Sequence, residues 1–189
     1  MAFFDEARIT VISGKGGNGC SSFRREKYIP KGGPDGGDGG KGGDVVAIHD
    51  RNLNSLINLK GKRVFSAKSG KAGSGKNMKG ESGEDLLIRL PNGTLIYADK
   101  TGELIGEITD TNEKIVLAKG GKGGLGNARF KSSTNQSPRK FTEGEEADER
   151  DIMLELRLIA DVGLLGLPNA GKSTLIINIT NSKSKIGSY

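Results

Sequence analysis

Between Gly32 and Asp44 the glycines fall in pairs at a spacing of three, and in the heart of the run only Asp35, Asp38, Lys41 and Asp44 carry side chains. A left-handed polyproline-II helix turns once in three residues, so it would place these four polar groups on one face and leave bare backbone on the other two. A flexible Gly/Ser linker holds no period and carries serine rather than such charges. The spacing returns at Lys119–Asn127 and, shortened, at Lys15–Gly19. A lone helix of this kind makes no internal hydrogen bonds, and ordering glycine backbone is entropically costly. The segments are therefore expected to pack side by side and share N–H to C=O bonds, with weak C–H to O contacts added. On this reading a Cβ at Gly36 or Gly39 collides with a neighbouring backbone, whereas Asp38, on the polar face, tolerates alanine.

The rest of the chain must supply the base of such an assembly. With 33% hydrophobic residues and 31 glycines among 189, the core is modest, and the length suits one domain and part of a second. The net charge of +6 favours an anionic partner, nucleic acid or phosphate. Cys20 stands alone and cannot form an internal disulfide, which fits a reducing cytosol, and it reads as a small buried residue. Asp5 and Glu6 occupy the place where a secretory leader needs a basic start, and no stretch reaches the roughly 20 apolar residues of a membrane span. A cytoplasmic monomer without a membrane span is the expectation. His49, the single histidine, has no companion metal ligands and reads as a surface or turn residue.

Ala7 to Ser13 alternates as a first strand, and Val45 to Ile48 as a second. Asn54 to Lys68 reads as two strands around Lys60-Gly61-Lys62. Ser69 to Gly83, with Lys71, Lys76 and Lys79, reads as a projecting basic loop, either tracking phosphates or simply solvated. From Glu84 a meander begins. Leu86 to Leu90 and Leu95 to Tyr97 flank Pro91-Asn92-Gly93 as a hairpin, followed by strands at Leu104 to Ile108 and Lys114 to Ala118. Glu143 to Asp151 reads as a solvated acidic connection, and Ile152 to Leu156 as a last strand. Short strands at this spacing predict an antiparallel barrel or sandwich. Phe23-Arg24-Arg25-Glu26-Lys27-Tyr28 combines aromatics with basic residues; it reads equally as an RNA contact or as a turn with solvated charges.

Leu158 to Leu165 reads as a buried strand that ends in Gly166-Leu167-Pro168-Asn169-Ala170-Gly171-Lys172-Ser173-Thr174, a Walker A pattern with a helix after it. Gly166 and Gly171 let the backbone wrap phosphates, and the amides from Asn169 through Ala170 to Ser173 point inward as donors. Lys172 would neutralise the outer phosphates, the Ser173 hydroxyl would ligate Mg2+, and Thr174 opens the helix.

These motifs, with Phe23-Arg24-Arg25-Glu26-Lys27, Gly33-Pro34-Asp35-Gly36-Gly37-Asp38-Gly39-Gly40, Gly123-Gly124-Leu125-Gly126-Asn127 and Asn135-Gln136-Ser137-Pro138-Arg139, make the chain resemble the Obg family of ribosome-associated GTPases. The resemblance implies a mainly β domain over 1–157, in which glycine-rich polyproline-II-type helices stand on a small antiparallel β-barrel. It implies that 158–189 begins an α/β P-loop G domain binding GTP or GDP with Mg2+. It further implies a GTP hydrolase that binds the large ribosomal subunit and ribosomal RNA and acts in subunit assembly. The chain runs only to Tyr189, so the switch threonine, the D-x-x-G metal loop and the N-K-x-D base reader are not in it, and this polypeptide alone is expected to be inactive. Guanine selectivity rests on the resemblance. A nucleotide-independent RNA-docking module and an ATP-dependent assembly factor are the alternatives.

Overall fold

The computed structural model describes residues 5–25, 32–61 and 63–157, together with Leu165, Gly166 and Leu175. Its strands are β1 (Glu6–Ile12), β2 (Val45–His49), β3 (Val64–Ser66), β4 (Leu86–Leu90), β5 (Thr94–Ala98), β6 (Leu104–Ile108), β7 (Lys114–Ala118) and β8 (Glu149–Leu156). Among the described residues, two short 3-10 turns, Ile57–Leu59 and Asn127–Phe130, lie between strands. Alternation sets the core. Ala7, Ile9 and Val11 of β1 face inward with Ile152, Leu154 and Leu156 of β8, and Ala7, Leu154 and Ile96 form one row across three strands. The opposite sheet contributes Val45, Ala47, Ile88, Leu90 and Leu117, and Leu56 is fully buried in the same cluster. Each fully buried Leu or Ile is worth about 1.5–3 kcal/mol.

The strands form two sheets, β3-β1-β8-β5-β6 and β4-β2-β7, which are not closed into a barrel. Nor are they wholly antiparallel, since β1 pairs with β3 and β2 with β4 in parallel. The expected hairpin at Pro91-Asn92-Gly93 is instead a corner: β4 lies in one sheet and β5 in the other, and the local hairpin is β5–β6. The Thr94 hydroxyl donates to the Pro91 carbonyl at 2.7 Å and so braces that corner. Of the two strands expected over Asn54 to Lys68, only β3 is present, preceded by the 3-10 turn that buries Leu59.

The glycine segments explain the pairing. Six extended stretches, 13–20, 35–44, 68–75, 77–84, 119–127 and 141–146, run alternately away from and toward the sheets. They exchange main-chain hydrogen bonds every third residue. Gly14 and Gly17 donate to Gly43 and Gly40, Gly39 and Gly42 to Gly124 and Gly121, and Gly121 and Gly124 back to Gly14 and Gly17. Segments 13–20 and 68–75 are parallel, through Gly70 to Lys15 and Gly73 to Asn18; they continue β1 and β3, which pair in parallel. Segments 35–44 and 77–84 are likewise parallel, through Gly80 to Asp38 and Gly83 to Lys41, and lead into β2 and β4. The array thus dictates strand order, against the rule that hairpins favour antiparallel neighbours.

Bare faces permit this spacing. A Cβ at Gly36, Gly39 or Gly42 would overlap the carbonyls of Cys20, Gly17 or Gly14, and one at Gly37, Gly40 or Gly43 those of Met78, Glu81 or Glu84. Two glycines in each triplet therefore face two different neighbours.

Candidate nucleic-acid interface

Because β1, β3 and β7 run straight into segments and β2, β4 and β8 run straight out of them, the three loops that join segments in pairs gather at the end remote from the sheets. The first joins Cys20 to Asp35, where Phe23 and Pro34 form a bridge and the Arg24 N–H donates to Gly33 at 3.1 Å. The second is a tight turn at Lys76 and Asn77, both at positive φ (60° and 56°), closed by the Ser74 N–H on Met78 at 3.0 Å. The third runs from Asn127 to Phe141 and places the Lys140 ammonium 5.5 Å from the centre of the Phe130 ring.

Charge is divided along the array. Near the sheets lysines are matched by glutamates: Lys15 with Glu146 at 2.7 Å, Lys68 with Glu84 and Lys71 with Glu81 at 2.6 Å, and Lys122 with Glu145 at 3.8 Å. The remote end carries Arg24, Arg25, Lys76, Lys79, Arg129, Lys131, Arg139 and Lys140. Its acids Asp35 and Asp38 turn inward. Asp38 accepts the Gly126 N–H at 2.9 Å and both Nε and Nη2 of Arg129 at 3.0 and 2.9 Å. Burial pushes this carboxyl up, but the Gly126 amide and Arg129 outweigh it, and it titrates below the ordinary range. Asp44 behaves alike: burial raises it, while the Lys41 ammonium at 2.8 Å and the Gly120 amide at 2.7 Å bring it lower. Met78, Leu125 and Phe141 add exposed apolar surface toward the same end.

Several sequence expectations change here. Asp38 does not face solvent; it replaces a main-chain acceptor for segment 119–127, so alanine would orphan Gly126 and Arg129. The basic loop at Ser69 to Gly83 is not a projection but two packed segments, and Lys71 is neutralised by Glu81. The acidic connection contains the sixth segment, whose Thr142 and Glu145 carbonyls accept the N–H groups of Gly19 and Gly16. Spacing was the overlooked signal: Glu81 and Glu84 alternate with Gly80 and Gly83 at a period of three. His49 is not a surface residue, since only 4% of its side chain is exposed, with Nδ1 3.5 Å from Asp110. Asn127, unassigned from sequence, is fully buried.

Of the phosphate-loop residues only Gly166 lies among the described residues; Asn169, Ala170, Gly171, Lys172, Ser173 and Thr174 lie outside them, as do Glu26, Lys27 and Tyr28. The chain reaches that region from Arg157, whose N–H donates to Gly93 at 3.0 Å. No helix among the described residues is long and apolar enough to cross a membrane.

A mainly β base, a glycine array and a following phosphate-loop motif define an Obg-type architecture. Residues 4–158 match the family model described as GTP1/OBG, and the chain belongs to that family. Residues 161–189 match a second model, described as 50S ribosome-binding GTPase. Together the two matches support a GTP hydrolase as the intact protein.

Proposed function

We propose that this chain is the N-terminal region of an Obg-type GTPase that docks on the large ribosomal subunit through the remote end of its glycine array and acts in subunit assembly in the cytoplasm. On this reading 1–157 is the docking domain, 158–189 begins the G domain, and the protein works as a monomer. The observation that carries the reading is the division of charge, with paired lysines and glutamates along the flanks and basic and aromatic groups collected at the tip. Lysine and arginine bind phosphates and release counterions, and aromatic rings stack on unpaired bases. The six segments are polyproline-II-type helices in this account. The backbone of Gly126, at φ −73° and ψ 162°, fits that conformation.

The donor set of the phosphate loop suits a magnesium nucleotide. Gly166 and Gly171 would let the backbone wrap the phosphates, the amides from Asn169 through Ala170 to Ser173 would donate to them, Lys172 would balance their charge, Ser173 would supply a hydroxyl to Mg2+, and Thr174 would open the helix. Mg2+ would neutralise charge developing on the phosphate oxygens. Co-sedimentation of the chain with purified large subunits tests the docking. Binding should fall steeply between 50 and 200 mM salt, as phosphate contacts do, and fall further in the R139E/K140E variant. Salt-independent sedimentation, or none, overturns it. Titration with a fluorescent guanine nucleotide tests the second part: Lys172→Ala should abolish whatever binding the chain has.

A further inference from the structure

Three loops build the remote end, and each joins a different pair of segments, so the covalent chain does not fix one against another. Main-chain bonds such as those of the Asn127 N–H to Cys20 and the Gly37 N–H to Ser74, both at 2.9 Å, join the loop ends, and two inward-facing polar side chains add to them. Asn127 uses its whole amide: Oδ1 accepts the Gly36 N–H at 2.8 Å, while Nδ2 donates to the carbonyls of Ser22 at 2.9 Å and Pro138 at 3.0 Å. It therefore grips the first loop by both feet and the third by its returning leg. Asp35, 9% exposed, accepts the Ser22 hydroxyl and the Lys76 N–H, the latter at 3.1 Å, and its own carbonyl accepts the Asn77 N–H at 2.7 Å. Those bonds tie the second loop to the first. They also hold Lys76 and Asn77 in the left-handed region, which asparagine tolerates and lysine adopts uncommonly. The chemistry is restrictive. Two donors and one acceptor in a buried volume of this size are met by asparagine; aspartate lacks the donors and leucine lacks both.

We propose that Asn127 and Asp35 are positioning residues that hold the described parts of the three loops together as one anion-binding platform, so that Arg25, Lys76, Lys131 and Arg139 meet folded RNA as a fixed set and not as independent tethers. The inference rests on the docking reading above. A fixed set neutralises several phosphates in one encounter, and each phosphate steepens log K against log salt by about 0.9. Electrostatics alone makes the opposite forecast for one variant, since Asp35→Ala removes a negative charge from a basic tip and would tighten binding.

The test uses the full chain with Asp35→Ala, Asn127→Ala and Ser22→Ala, none of which replaces a basic residue. Ser22→Ala removes a single hydroxyl at a half-buried position and leaves the main-chain bonds in place, so it reports even where the other two do not fold. Hydrogen exchange followed by mass spectrometry should show faster exchange over 74–78 for Asp35→Ala and Ser22→Ala, whose bonds reach the second loop, and at Gly36, whose N–H the Asn127 amide accepts, for Asn127→Ala. Co-sedimentation with purified large subunits should weaken, by about tenfold for Asp35→Ala and Asn127→Ala and less for Ser22→Ala, with a salt slope shallower by about one phosphate's worth. Unchanged exchange overturns the tie between the loops. Faster exchange with wild-type affinity and slope, or tighter binding by Asp35→Ala, overturns the positioning role. Failure of the wild-type chain to sediment removes the docking reading, and the platform with it, while exchange alone then decides whether the loops are tied.

Discussion

The sheets and the glycine array occupy the same chain but hold together by opposite means. In the sheets, Ile9, Leu154 and Ile96 interdigitate as side chains and the backbone pairs at ordinary sheet spacing. In the array apolar side chains are absent from the interior, and Gly16, Gly17, Gly39, Gly40, Gly42 and Gly43 are buried backbone touching backbone. A core of side chains can relax around a lost methyl group, because rotamers shift and neighbours lean in. Two peptide planes in contact have nothing to move. The comparison teaches that glycine content here counts neighbours. Segments 13–20, 35–44 and 119–127 lie inside the array and present two bare faces, whereas 68–75, 77–84 and 141–146 present one, as with Gly80 and Gly83 against Lys71 and Lys68.

The largest expected effect breaks the array and leaves the sheets intact in sequence. Gly42→Ala drives a Cβ into the Gly14 carbonyl, and overpacking against immobile backbone costs roughly 3 kcal/mol or more. A chain of modest stability then shows no cooperative thermal transition. Leu154→Met in the sheets costs less than about 1.5 kcal/mol and should melt cooperatively at a slightly lower temperature, whereas Leu154→Ala, at about 2–5 kcal/mol, should be as damaging as Gly42→Ala. Equal midpoints for Gly42→Ala and wild type would show that the array is not close-packed.

Next comes Asp38. Alanine there leaves the Gly126 amide and Arg129 without their acceptor, at roughly 1–3 kcal/mol, measurable by urea titration. The same carboxylate gives stability a pH dependence of defined sign. Asp38 and Asp44 are lower in the folded chain than in the unfolded one. Their contribution is therefore complete above the unfolded carboxylate value, near 3.9, and drains away as the pH falls through the folded values. Asp38→Asn should flatten that acid limb; an unchanged limb would assign it to other groups. The smallest effect belongs to the flank pairs. Lys68→Ala or Lys71→Ala breaks a solvent-screened contact, and neither melting temperature nor sedimentation with large subunits should move measurably. Lost sedimentation in Lys71→Ala would extend the interface down the flank.

These contrasts also show why some of the fold was legible in the sequence and some was not. A period of three with two bare positions is conspicuous, so the segments around Gly39, Gly123 and Gly17 stand out from the letters alone. Where one bare face suffices, the same geometry hides among charges, and Lys68 to Glu84 looks like a basic loop because Lys71 and Glu81 are ten residues apart before they meet. Asp38 and Lys41 share a spacing and so suggest a common solvent face. Only the position of segment 119–127 reveals that the aspartates serve as acceptors for Gly126 and Gly120. Strand order was hidden for the same reason. β2 lies beside β4 because 35–44 lies beside 77–84, and no local turn signal encodes that. At the tip, Arg24 and Arg25 announce themselves as charges, whereas Asn127 acts through bonds to residues some 11 to 105 positions away.

That long reach has a consequence for how the chain acquires its structure. Gly16 and Gly19 give their N–H groups to Glu145 and Thr142, so the first segment to leave the ribosome is completed by nearly the last part of the array to be made. At about 5–20 residues per second, the early glycines wait on the order of ten seconds for partners. Throughout that interval they have no local hydrogen-bonding alternative. Topologies dominated by such distant pairings fold slowly, and here the delay is written into the order of synthesis: Gly14 and Gly17 can meet Gly43 and Gly40 early, but the array is complete only after translation has passed residue 145.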